Sequence, residues 1–148
     1  MTVPARRDLT VLLAEDDEND VILVRRAFGR LEHVARLLVL SNADTVIPYL
    51  RGEDQFADRQ KHPLPDVLLL DQHMPRVSGL DVLFWLRTEP RFEHLPVVVL
   101  SNGFSPQEAD IASRLHAACT TKTVVLCELP QAIHDGIEEA FRAVGNGS

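Results

Sequence analysis

Three carboxylates, a hydroxyl and a lysine in this chain each stand at the end of a short run of apolar or small residues. Asp71 closes Val67-Leu-Leu-Leu70, and Glu15 and Asp16 follow Val11-Leu-Leu-Ala14. Ser101 follows Val97-Val-Val-Leu100, and Lys122 follows Ala117 to Thr121. A short apolar run bounded by polar residues reads as a buried strand. An acid delivered to the end of such a strand has lost part of its water and cannot sit unpaired without cost. Three carboxylates gathered at one place repel one another unless a cation joins them. An oxygen-only ligand set, with no Cys or His side chain in it, suits a hard divalent ion. Mg²⁺ comes before Ca²⁺, because so few carboxylates leave several coordination positions to water. With the charge of Lys122 and the hydroxyl of Ser101 converging on one carboxylate, the set describes a pocket for a phosphoryl group.

Taken singly, each of these residues has an ordinary reading. Glu15-Asp16-Asp17-Glu18 is equally an acidic helix start that complements the macrodipole, and Asp71 is equally a turn or cap residue. Ser101 and Lys122 alone are solvated polar residues. Their joint placement is what carries weight, and it depends on the elements between them. Val21, Val24, Phe28 and Leu31 recur at helical spacing, which predicts a helix from about Asn19 to Arg30. A second strand lies within His33 to Leu40, a short helix spans roughly Ala43 to Arg51, and a long polar loop continues through Pro65. Leu80, Leu83, Phe84 and Arg87 mark a helix that stops before Pro90. Ser105 and Pro106 have the chemistry of an N-cap and a first-turn proline, with Ile111 and Leu115 as the inward face of the helix they start. Leu129-Pro130 opens a last helix whose Ile133, Ile137, Ala140 and Val144 form one stripe. Five strands alternating with five helices predict a doubly wound α/β fold, a parallel sheet covered on both faces, with ligands at the carboxyl ends of its strands.

Composition narrows the function classes. At 148 residues, 45% hydrophobic and 25% charged, the chain is expected to form a single domain with a core at about 9–144 and no output domain. Residues 1 to 8 and 145 to 148 read as frayed ends. A formal net charge of −7 opposes nucleic-acid binding, which rests on clustered Lys and Arg. No apolar run is long enough to span a membrane and the N-terminus lacks a signal-peptide core, so a cytoplasmic protein is expected. Cys119 and Cys127 have no metal-ligand spacing and read as reduced thiols.

The stretches LLAEDDEND, LLLDQHMPRVSGLDVL, VVVLSN and TTK, in this order and spacing, resemble the receiver domain of bacterial two-component response regulators over almost the whole chain. The resemblance implies the flavodoxin-like receiver fold. It makes Asp71 the phosphoacceptor, Glu15 and Asp16 the acidic pair that holds Mg²⁺ together with Asp71, Ser101 the switch hydroxyl and Lys122 the lysine of the site. His73 falls where the family lends a backbone carbonyl to the metal. EDDENDVILVRRAF, YLRGEDQFADRQKHPLPDVLLLD and RFEHLPVVVLSN further resemble stand-alone receivers paired with bacterial phytochromes, which are red-light-sensing histidine kinases. That subgroup implies a sensor histidine kinase as partner and a homodimer through helix 4, strand 5 and helix 5. It implies no enzyme beyond a part in its own Mg²⁺-dependent phosphotransfer and autodephosphorylation.

Several positions depart from the pattern. Cys119 stands where many receivers carry an aromatic whose swing reports the switch, and Thr123 stands where a cis proline is usual; a cis bond before Thr123 would cost several kcal/mol. His73 replaces the commoner Asn or Met, and Gly103 leaves water an open approach, so rapid hydrolysis of the acyl phosphate is expected. These departures keep an alternative in view, a pseudo-receiver that binds proteins without phosphorylation. A phosphatase of the aspartyl-phosphate type would need a second Asp where His73 stands. A flavodoxin-like cofactor binder would need a phosphate loop after the first strand, and none is present.

Overall fold

A computed structural model describes residues 8–31, 34–122 and 125–147. Among them, five strands and five α-helices alternate: β1 (Leu9–Ala14), α1 (Glu18–Phe28), β2 (Val34–Leu40), α2 (Val46–Arg51), β3 (Val67–Asp71), α3 (Gly79–Thr88), β4 (Val97–Ser101), α4 (Pro106–Arg114), β5 (Ala118–Thr121) and α5 (Val125–Gly147). The strands form one sheet in the order β2-β1-β3-β4-β5, and every adjacent pair is parallel. The runs that look continuously apolar in sequence are buried on both faces of this sheet. Leu12, Leu68, Leu70, Val97 and Val99 turn toward Tyr49, Leu50, Val82, Leu83, Leu86 and Ala112 of α2, α3 and α4. Their neighbours Val11, Leu13, Val67, Leu69, Val98 and Leu100 pack on Val24, Phe28, Ile133, Ile137 and Ala140 of α1 and α5. Period-two alternation thus serves two apolar layers, as a doubly wound sheet requires.

The register sets up the site. Ala14 pairs with Leu70, Asp71 with Leu100, and Ser101 with Thr121, so the residues that end β1, β3, β4 and β5 come level at one edge. The chain leaves β1 toward β2 and then returns to β3 on the other side of β1. That reversal opens a crevice at the ends of β1 and β3, where Glu15 and Asp71 lie.

Several local expectations need correction. The last helix begins at Val125, and Pro130 lies inside it. The rule that puts proline in a first turn misplaces this start, because the helix absorbs the loss of one backbone N–H. The stripe Ile133, Ile137, Ala140 and Val144 is buried as expected. In α4 the buried residue is Ala112, and Ile111 is 45% exposed. The helix marked by Leu80, Leu83, Phe84 and Arg87 forms as expected, with Leu83 and Leu86 inward and Phe84 62% exposed. The long loop after α2 is folded. A 3₁₀ turn at Asp54–Phe56 buries Phe56 against Tyr49 and His62. The Arg59 guanidinium donates to the carbonyls of Tyr49 (2.9 Å), Leu50 (2.7 Å) and His62 (3.1 Å), which satisfies the open carbonyls at the end of α2. Arg87 does similar work at the opposite end of the sheet from the site. It donates to the carbonyls of Leu115 (2.7 Å) and Leu95 (2.8 Å), and burial pushes its guanidinium down to about 10. The peptide bond before Thr123 and the side chain of Cys127 lie outside the described residues.

Candidate functional site

Each acid is held by the element that delivers it. Glu15 leaves β1 still bonded to the sheet, its N–H donating to the carbonyl of Leu40 at 3.0 Å. The next turn starts α1: Asp17 is the N-cap and accepts from the N–H groups of Asn19 (2.8 Å) and Asp20 (3.4 Å). Part of the acidic run is therefore a helix start, and part is a site. Glu15 and Asp71 are buried, whereas Asp16 is exposed. Ligand oxygens of Glu15, Asp16 and Asp71 lie within 4.8 Å of one another. A second group at that spacing, His134, Asp135 and Glu138 on α5, is already paired along its own helix.

Lys122 follows β5, where its N–H donates to the carbonyl of Ser101 at 2.7 Å. Its ammonium reaches Glu15 Oε1 at 2.8 Å, Asp71 Oδ1 at 3.1 Å and Asp20 Oδ2 at 2.8 Å. Burial alone would depress the ammonium, but its hydrogen bond to Asp20, its ion pair with Glu15 and the charge of Asp71 outweigh it and hold Lys122 above its ordinary range. Burial pushes Glu15 up to about 7, with Asp71 beside it adding to the rise and Lys122 opposing it. Glu15 Oε1 touches Lys122 as an ion pair without a well-directed hydrogen bond. A buried carboxylate oxygen so poorly satisfied, in a cluster of three acids, fits a divalent cation by the chemistry of its donors.

Ser101 is fully buried, and its hydroxyl is already engaged. The Oγ donates to the carbonyl of Gly103 at 2.7 Å and accepts from the N–H of Gly103 at 3.1 Å. The His73 ring stands 3.1 Å away through Nε2. Since the single hydroxyl hydrogen goes to Gly103, the imidazole must be the donor in that contact. The backbone N–H of His73 donates to Asp71 Oδ1 at 3.3 Å. Beside it, buried Gln72 accepts from the N–H of Leu80 through Oε1 (2.9 Å) and donates through Nε2 to Glu108 (3.1 Å). Glu108 in turn closes the capping box of α4 with Ser105. The loop after Asp71 is therefore tied to β4 and α4 by two side chains. Burial pushes the Cys119 thiol up to about 11, so it is protonated and inert at neutral pH.

The structure thus brings together Glu15, Asp16, Asp71 and Lys122, and it places Ser101 at the adjoining strand end. Three contributors escape sequence reading. Asp20 is, in sequence, only one more acid in a helix start. The His73 ring and the Gln72 bridge have no sequence signal, since both depend on how the loop after β3 turns. That turn is tight. A Cβ at Gly79 would sit 2.9 Å from the carbonyl oxygen of Asp71 and 3.3 Å from Gln72 Cα, both backbone. Gly79→Ala is expected to cost roughly 1–3 kcal/mol of stability by urea denaturation. An unchanged urea midpoint would show that the loop yields freely.

A five-stranded parallel sheet with an acid pair, an acid and a lysine at its carboxyl edge defines a phosphoacceptor receiver, and the chain belongs to the response regulator receiver domain family, whose model matches residues 11–134. Among its relatives is the response regulator Rcp1 of Synechocystis, 27% identical over 129 residues that cover 86% of this chain and 85% of Rcp1. The Mn²⁺-bound form of Rcp1 superposes with a TM-score of 0.74 at 25% identity, covering 86% of this chain and 90% of that one. The phosphorylated cyanobacterial phytochrome response regulator RcpA gives a TM-score of 0.76 at 29% identity, covering 91% and 94% of the two chains. A probable methanogenesis regulatory protein, FilR2 of Methanothrix harundinacea, is 33% identical over 98 residues; the match covers 66% of this chain and 61% of that protein. The chain is a response regulator of the two-component class, with phytochrome response regulators among its structural neighbours. No helix among the described residues is long and apolar enough to cross a membrane.

Proposed function

We propose that this protein takes a phosphoryl group from a sensor histidine kinase, of the bacterial phytochrome type, onto Asp71. The observation that carries the reading is the approach of the Lys122 ammonium to 3.1 Å from Asp71 Oδ1 beside the gathered oxygens of Glu15, Asp16 and Asp71. An Asp71 oxygen attacks the phosphorus of a phosphohistidine in line. The new O–P bond forms as the P–N bond breaks, and the bonding pair leaves with the imidazole. Glu15, Asp16, Asp71 and the backbone carbonyl of His73 would hold Mg²⁺, which would supply neutralising charge at the site. Lys122 pairs with one oxygen of the transferring group. Ser101 exchanges its bonds to Gly103 for one to the phosphoryl group, which pulls the loop after β4 and shifts α4.

Support for the kinase class comes from RcpA, a phytochrome response regulator, and support for a divalent ion from the Mn²⁺ form of Rcp1. In this reading the protein works in the cytoplasm. Exposed Ile111 on α4 favours pairing of two copies through α4, β5 and α5; sedimentation is expected to show a dimer, and a monomer at all accessible concentrations removes that element. The exposed His73 ring and the open space around Gly103 favour a short-lived acyl phosphate. The decisive test is incubation with acetyl phosphate and Mg²⁺ followed by intact mass. A phosphoryl adduct that is absent in Asp71→Asn is expected. No adduct on the folded wild type would leave a pseudo-receiver as the reading.

A further inference from the structure

The ammonium of Lys122 has three hydrogens and three carboxylate partners, Glu15, Asp20 and Asp71. Two of these partners belong to the group that can hold a divalent cation, and Asp20 does not. A cation drawn to Glu15 and Asp71 competes with the ammonium for the same oxygens. The ammonium can yield them easily only if another acid keeps it. Asp20 is built for that task. Its backbone is fixed in the first turn of α1 by the Asp17 cap, and its side chain, 30% exposed, stands outside the buried pair. Pairing with Lys122 there also joins α1 to the loop after β5.

Resting on the function proposed above, we infer that Asp20 is a positioning residue for Lys122. It holds the ammonium at the margin of the acidic pocket, so a divalent cation can take Glu15 and Asp71 while the lysine stays within reach of a phosphoryl group on Asp71. Without Asp20, Lys122 falls back on Glu15 and Asp71 and opposes the cation more strongly. The rival explanation is plain charge: any acid near the pocket attracts a cation, whatever the lysine does.

The two are separated by calorimetric titration of the protein with Mg²⁺. Asp20→Asn is expected to weaken binding roughly three- to fivefold, the upper part of the range for a partly exposed ion pair. In a Lys122→Gln background the same substitution is expected to change affinity by less than about twofold, because the residue through which Asp20 acts is gone. Equal weakening in both backgrounds, or no weakening with Lys122 present, overturns the inference. Asp20→Glu is expected to restore most of the affinity. A second readout needs no change at Lys122: under saturating Mg²⁺, acylation of Lys122 by a small amine-reactive anhydride, followed by peptide mass, is expected to run several-fold faster in Asp20→Asn than in wild type. Equal rates count against Asp20. Failure of the wild type to accept a phosphoryl group from acetyl phosphate would sink the functional reading instead, and the Mg²⁺ titrations judge Asp20 separately from it.

Discussion

Replacing Lys122 by Gln will slow phosphoryl acceptance at Asp71 by about 10²–10³-fold, the usual loss when a preorganised charge or donor is removed from a developing oxyanion. The same variant will bind Mg²⁺ more tightly than wild type. The opposite signs follow from one geometry, in which the ammonium lies 2.8 Å from Glu15 Oε1 and 3.1 Å from Asp71 Oδ1, on oxygens a divalent cation also needs. Removing it frees those oxygens for the cation and deprives the transferring group of its partner. Asp71→Asn differs in kind, since an amide has no nucleophilic oxygen to give, and uptake from acetyl phosphate will be abolished. The measurements are initial rates of adduct formation by intact mass and Mg²⁺ titration on the same preparations. A Lys122→Gln protein that loses phosphorylation and Mg²⁺ binding together would show that the lysine is structural.

The strand ends were readable because β1, β3 and β4 are buried on both faces and so appear as unbroken apolar runs with a polar residue at the terminus. That one pattern locates Glu15, Asp71 and Ser101, and the parallel register then places them side by side. Asp20 was not readable, because in sequence it is one more acid in a helix start that also caps itself through Asp17. Its partner lies 102 positions away. The face of α4 misled for a related reason. Ile111 is an apolar residue at helical spacing, but a hydrophobic side chain on a helix is inward only if the sheet lies beneath it. Here Ala112 takes that place. The start of α5 was hidden by Pro130, whose usual place in a first turn is a preference of isolated helix geometry that a long packed helix can override. What escaped the sequence is thus mostly side-chain pairing across distant elements, set by loop turns such as the one Gly79 permits.

Without a divalent cation, the protein will lose stability as pH rises from about 4.5 to about 7, the reverse of the trend expected from ordinary paired carboxylates. Glu15 is wholly buried, and burial first, then the neighbouring Asp71, pushes its carboxyl up to about 7 against an ordinary value of 4.5. Above the unfolded value the unfolded chain releases the proton while the folded chain still holds it. The native state therefore binds more protons across the window, and stability falls with pH. The fall is set by how far burial and Asp71 raise Glu15 against the opposing Lys122. Saturating Mg²⁺ will flatten or reverse the trend, because the ion binds the ionised form and stabilises the folded state by mass action. Its affinity will rise by up to about tenfold per pH unit toward neutrality and level off above about pH 7, since a proton must leave Glu15 before the oxygen can serve as a ligand. Thermal melts across this range, with Mg²⁺ and with a chelator, read both effects, and Glu15→Gln isolates the residue. The glutamine keeps the shape without the titration, so its chelated melts should lose the downward slope. If Glu15→Gln retains the wild-type slope, another group titrates there and Glu15 is ionised throughout.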